Sequence, residues 1–196
     1  MILIKRLILR GKKKLNISQC RKLKPYSNRE YFLRICWSIF KPLFYFSPRN
    51  FFIWRVFLLR LFGAKIGKQV NIYPSAIIYM PWNLSIGDYS CIGEWALIYN
   101  IGFVKIGNSV TISHKAHLCS GTHQYQDPNL PLQKKRIDLQ DYVWICSEAF
   151  VGPGCTVGEG SIIGARSVAI SNIGDWLICA GNPIRVLKKR ELNLAK

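Results

Sequence analysis

Three imidazoles are all that the chain offers for proton transfer near neutral pH: His114, His117 and His123. Neutral imidazole titrates close to working pH, so a well-placed histidine can take a proton from a weak nucleophile such as a hydroxyl and return one to a leaving group. His123 is the strongest candidate. It closes Cys119-Ser120-Gly121-Thr122-His123, where a regular spacing of apolar residues breaks off and a polar stretch, 124–136, runs on to Ile137 or Leu139. A loop that interrupts a regular array usually serves a site or a subunit contact. Position alone leaves a structural role for His123 open. Glu148 is a candidate to orient it if the fold brings the two together, and is otherwise a surface carboxylate.

Other chemistries find little support. No P-loop, dinucleotide fingerprint, Gly-x-Ser-x-Gly elbow or paired catalytic carboxylate stands in a fitting context. The seven cysteines are odd in number, scattered and without a Cys-x-x-Cys pair. They read as reduced core residues in a reducing compartment, and their spacing supports neither a disulfide framework nor a metal site.

The elements that must hold His123 are written in hexads. From Ile66 onward an aliphatic residue recurs every six positions, as in Ile66, Ile72 and Ile78, and this block returns at Ile86 and Ile106 with a period of twenty. A second run, Leu139, Ile145, Val151, Val157, Ile163 and Ala169, keeps the period of six, and Ile173-Gly174-Asp175 opens a last partial coil. Neither the helical period of 3.6 nor the strand period of 2 fits this. A triangular prism does: each hexad is one side, three sides close a coil, and the aliphatic heads stack inward on those of the next coil. Ala76, Ala96, Ala116, Val110, Ala149, Ser161 and Ser167 suit its cramped corners. An irregular β-sandwich is disfavoured because no series of hairpin turns separates longer strands.

These hexads resemble the hexapeptide-repeat acyltransferases, which implies an all-β solenoid, a left-handed parallel β-helix. Six segments in order, around Arg60–Gly67, Pro81–Leu84, Leu118–His123, Ala149–Gly154, Ile163–Ser167 and Ala180–Pro183, are similar to the colanic-acid-type polysaccharide O-acetyltransferases over residues 30–190. The resemblance implies that His123 is the catalytic base and acetyl-CoA the acyl donor. It implies that Trp144 and Ser147 lie near the pantetheine arm, that Gly164 and Ala165 let that arm approach the backbone, and that Arg185 and Lys188, with Lys189, meet the coenzyme A phosphates. Asp127 matches the family's loop pattern and would place an acceptor hydroxyl, with a solvated turn as its plainer role. Gln124 departs from the pattern, since many relatives carry an Asp after the histidine. The family's site lies between subunits of a homotrimer, facing His123 of one chain towards the Trp144 region of its neighbour. No resident metal is implied.

At 196 residues with 49% hydrophobic content, the chain can build one core and an appendage. Its charge is uneven: residues 1–65 hold 16 Lys and Arg against the single acid Glu30, while the rest hold 12 against nine. The expected organisation is a basic, aromatic, helical arm over 1–65, the β-helix over 66–184 with a loop at 124–138, and a basic tail over 185–196. Pro48 divides the arm into two short helices, with Ser47 or Asn50 capping the second. Aromatics among cations suit the headgroup zone of an anionic bilayer, which makes residues 1–60 a candidate membrane contact. Charges and prolines leave no run long enough to span it, and residues 1–9 do not read as a cleavable signal peptide. Plain packing across the first coil is the simpler use of the arm, and nucleic acid the least favoured partner.

The leading expectation is an enzyme that moves an acetyl group from acetyl-CoA to a saccharide hydroxyl in surface polysaccharide assembly. The acceptor could be lipid-linked, and the setting cytoplasmic at the inner face of the membrane. A non-catalytic solenoid scaffold or membrane adaptor is the alternative. A γ-carbonic-anhydrase-like metal lyase is a third, for which His114, His117 and His123 supply the number of imidazoles but not that family's spacing.

Overall fold

The computed structural model describes residues 24–193 together with Leu15, Asn16, Ser18 and Lys22; the opening 1–14 segment and Cys20 lie outside the described residues. From Lys65 the chain winds as a β-solenoid with three parallel sheets. The first face stacks Lys65–Ile66, Leu84–Ile86, Val104–Ile106, Ile137–Leu139 and Thr156–Val157. The second stacks Asn71–Ile72, Cys91–Ile92, Thr111–Ile112, Trp144–Ile145, Ile162–Ile163 and Leu177–Ala180. The third stacks Ile77–Ile78, Leu97–Tyr99, His117–Cys119, Phe150–Val151 and Val168–Ala169.

The hexad heads are what close this prism. Ile72, Ile92, Ile112, Ile145 and Ile163 have no exposed surface, each worth about 1.5–3 kcal/mol of burial. Small residues take the corners as the spacing predicts: Ala76, Ala96, Ala116, Ala149, Ser161 and Ser167 are all at 0% exposure. Two corners turn through left-handed backbone at non-glycine residues, Gln69, Tyr89, Ser109 and Tyr142 at one and Trp95, Lys115, Glu148 and Arg166 at the other. Polar ladders hold the first of these. Asp88 Oδ1 accepts from Lys68 N, Asn108 Oδ1 from Asp88 N, and Asp141 Oδ1 from Asn108 N. Gly67, Gly87 and Gly107 precede these corners because each oxygen of the following coil lies 2.1–2.5 Å from where their Cβ would stand.

Two helices precede the solenoid. Helix α1, Asn28–Tyr45, begins in a capping box: Ser27 Oγ accepts from Glu30 N, and Glu30 accepts from Ser27 N. Trp37 and Phe44 bury its inner side, with Trp37 Nε1 donating to the Ile78 carbonyl. Helix α2, Phe52–Leu61, covers the open first coil with Val56, Leu58 and Leu59. Its N-cap is Phe51 without a side-chain bond, so neither Ser47 nor Asn50 caps it. The reason is Arg55, wholly buried, whose guanidinium donates to Ser47 Oγ and to the carbonyls of Ile72, Pro48 and Arg49. That cation fastens the arm to the prism through neutral oxygens alone.

Two strand pairs among the described residues are antiparallel. Gly121–His123 and Leu132–Lys134 form a hairpin that leaves the prism beyond the third face. Arg185–Lys189, in the span read from sequence as a tail, folds back on Leu177–Ala180 and ends the second face.

Candidate functional site

The hairpin exists because its loop builds its own turn. Asp127 N donates to the Gln124 carbonyl, Leu130 N donates to the Asp127 carbonyl, and Asp127 Oδ1 accepts from Asn129 N. Gln124 N then bonds the Pro131 carbonyl, and the two strands register Thr122 against Gln133 and His123 against Leu132. This turn delivers the Leu130 carbonyl to His123, whose Nδ1 lies 2.6 Å from that oxygen. Since a carbonyl only accepts, Nδ1 carries the proton, and in the neutral ring the lone pair then sits on Nε2. The ring is thereby in the tautomer a base requires.

His123 lines a groove of about 660 Å³ with Thr122, Gln124, Tyr125, Gln126, Gln133, Lys135, Pro153 and Ile170. Amides, a hydroxyl, an 81% exposed tyrosine ring and one ammonium group make this wall polar and aromatic. Asp127 is committed to the turn and is not among the lining residues. Gln124 accepts from Gln133 Nε2 across the hairpin. Glu148 does not orient His123; it pairs with Arg166 at a corner of the prism.

The residues expected on the donor side gather elsewhere. Trp144, 42% exposed, stands on the second face with Nε1 donating to Ser113 Oγ. Strand registers place Trp144, Ile162, Ile178 and Lys188 in one row across that sheet, about 15 Å long at the usual strand spacing. Ser147 bonds the His114 ring at the next corner, and Gly164 passes so close to the following coil that a Cβ would meet that of Ala180 at 2.8 Å. Ala165 follows Gly164 in the turn there, and Arg185 is exposed at the start of the closing strand. None of these residues lines the His123 groove of the same chain.

The three imidazoles have three different settings. His114 is held by Ser147, His117 is half-buried edge-on against Phe150, and His123 is held by Leu130. Burial pushes His117 below the ordinary imidazole range. Among the described residues no three His, Cys, Asp or Glu side chains group as a metal site.

Sequence reasoning did not anticipate the Leu130 carbonyl, nor the amide wall of Gln126 and Gln133. It also missed Asn100, fully buried, whose side chain bonds Met80 N and O and so braces the corner beside the hairpin. A polar residue inside an apolar hexad block was the only signal for it.

No family model matches the sequence. Among curated proteins, the chain is 38% identical over 158 residues to the protein named as colanic acid biosynthesis acetyltransferase WcaF in Escherichia coli, covering 81% of this chain and 87% of that one. It is 33% identical over 139 residues to the galactoside O-acetyltransferase of the same organism, covering 69% and 68%. Among solved structures, it superposes on the hexapeptide-repeat acetyltransferase VCA0836 of Vibrio cholerae complexed with acetyl coenzyme A, with a TM-score of 0.77 at 21% identity over 87% of this chain and 93% of that one. This prism, with its interrupting hairpin and that identity across most of both chains, belongs to the hexapeptide-repeat acyltransferases, in the colanic-acid-type acetyltransferase family.

Proposed function

We propose that this chain transfers an acetyl group from acetyl-CoA to a saccharide hydroxyl during surface polysaccharide assembly, with His123 as general base. The observation that carries this reading is the bond from His123 Nδ1 to the Leu130 carbonyl, which leaves Nε2 free to accept at the groove. His123 takes the hydroxyl proton as the oxygen adds to the thioester carbon. It returns that proton to sulfur when the C–S bond breaks, so no covalent acyl-enzyme is needed. Cys119, near in sequence, donates its thiol hydrogen to the Gly121 carbonyl and is not paired with His123.

The second face fits an elongated thioester. Trp144 offers an apolar wall, Ser147 a hydroxyl, Gly164 and Ala165 a close backbone, and Arg185 and Lys188 cations for phosphate oxygens. The relatives named for sugar O-acetylation and the neighbour holding acetyl coenzyme A support the same assignment. Because the row through Trp144 and the His123 groove occupy different parts of one prism, a complete site takes the hairpin of one subunit and the second face of another. This reading takes the homotrimer and cytoplasmic setting that the family resemblance implies, with Asp127 acting on the acceptor side through the turn it builds beside the groove.

Calorimetry with acetyl-CoA and release of free thiol, for the wild type and His123→Ala, test this. Equal binding with turnover lowered about 10²- to 10⁴-fold in the variant is expected. Binding in neither protein would favour the scaffold reading, and equal turnover in both would remove His123 as the base.

A further inference from the structure

Helix α1 is apolar on two opposite sides, and the solenoid uses only one. Trp37 and Phe44 are 2% and 1% exposed against the prism. Facing away, Phe32, Ile35, Ile39, Leu43 and Phe46 recur at steps of three and four and are 50–88% exposed. Helix α2 repeats the pattern: Val56 and Leu59 are buried, while Ile53, Phe57 and Leu61 are 54–87% exposed. At the end of the α1 stripe, Leu43 and Phe46 line an apolar groove of about 580 Å³ with Phe51 and Trp54, and Trp54 Nε1 donates to the Leu43 carbonyl across it. A surface helix needs one apolar stripe, and a second of this extent marks a contact surface.

Charge says what kind of partner it fits. Residues 31–87 contain no Asp or Glu; Arg60 and Lys68 are exposed and line one groove with Ile53 and Phe57, Arg49 is exposed and pairs with Glu94, and Arg55 is buried. A second copy of the same surface would set cation against cation. Nucleic acid needs successive stacking platforms, and here the exposed rings of Phe32, Phe46 and Phe57 are interrupted by Ile35, Ile39, Leu43, Ile53 and Leu61. Outward apolar side chains with Arg60 and Lys68 beside Ile53 and Phe57, in a span of the chain without Asp or Glu, match the headgroup–acyl boundary of an anionic bilayer. No helix among the described residues is long and apolar enough to cross one.

We propose that the outward faces of α1 and α2 form a docking surface for an anionic bilayer leaflet, on which the protein lies without spanning it. The contact reaches the site through the start of α1. Glu30 pairs with Lys134 at 2.8 Å, Tyr26 lies under the same ammonium at 4.7 Å, and Asn16 N donates to the Pro128 carbonyl. All three tie the arm to the hairpin that carries His123. The acceptor is therefore a saccharide carried on a membrane lipid, a statement that rests on the acetyltransferase reading; the docking surface does not.

The experiment is co-sedimentation of the full chain with vesicles of phosphatidylcholine, alone or mixed with phosphatidylglycerol, at low and high salt. A triple variant, Ile35→Ser with Ile39→Ser and Phe46→Ser, is compared by vesicle binding, light scattering, thermal melting and thiol release from acetyl-CoA. Wild type is expected to bind the mixed vesicles in a salt-sensitive way, and the variant to bind about ten-fold or more weakly with melting and thiol release unchanged. Phe46→Ser alone, at 88% exposure, replaces the triple variant if that fails to fold. No binding by wild type, equal binding by the variant, or a changed oligomeric state in place of lost vesicle binding would overturn the proposal. Vesicle binding without thiol release would leave the docking surface standing and remove the enzymatic reading.

Discussion

An imidazole proposed as a base needs an orientation and an open lone pair, and at His123 the backbone supplies the orientation. The Leu130 carbonyl fixes the tautomer without setting a full charge against the ring, as a carboxylate would. His117 shows the opposite use of the same side chain. Its Nε2 is buried without a partner, its ring meets Phe150 edge-on, and burial holds its pKa below the ordinary value. The unfolded chain therefore binds a proton at higher pH than the folded one. Stability from this residue is fully present above the unfolded imidazole value of 6.5 and is lost as pH falls from there towards the folded value. Melting temperatures measured from pH 7.5 to 5 should fall in the wild type and fall less in His117→Leu, which keeps the apolar contact; parallel slopes would show that His117 does not carry this dependence.

At the scale of elements, the hairpin and the arm stand or fall together. Glu30 closes the capping box of α1 and also holds Lys134 in the strand facing His123. The cap is worth about 1 kcal/mol and the partly exposed ion pair about 0.2–1 kcal/mol. Glu30→Ala should lower the rate of acetyl transfer several-fold with acetyl-CoA binding unchanged, and Glu30→Gln, which keeps the cap, should lose less. Equal rates in all three, measured as initial velocities at saturating acetyl-CoA, would detach the arm from the site. The same elements explain what sequence could disclose. Hexad heads such as Ile72 and Ile92 declare their burial through local period, and His123 through the break in that period. The Leu130 carbonyl left no trace, because a backbone oxygen has no residue type. Ser47 looked like a cap until the buried guanidinium of Arg55 claimed its hydroxyl. Residues 185–189 alternate too weakly to read as a strand, since all five are exposed and only backbone pairing makes them one.

The molecule as a whole is a stack covered at its first coil and closed on its second face at the other end. Helix α2 covers the first coil, and Arg185–Lys189 runs antiparallel along Leu177–Ala180 where the next parallel strand would otherwise add. An unpaired sheet edge is a template for further chains, and a row of identical prisms could extend end to end through it without limit. The closing strand reverses the chain direction and presents Arg185, Lys188 and Lys189 outward. Deleting residues 185–193 should therefore leave the coils wound yet let preparations seed ordered fibres, read by dye binding and electron microscopy; a variant that stays dispersed would mean the coil below is self-limiting. Those cations would then guard solubility, whatever else they bind, so a chain that lost them by proteolysis would fail first by polymerising and only afterwards by losing turnover.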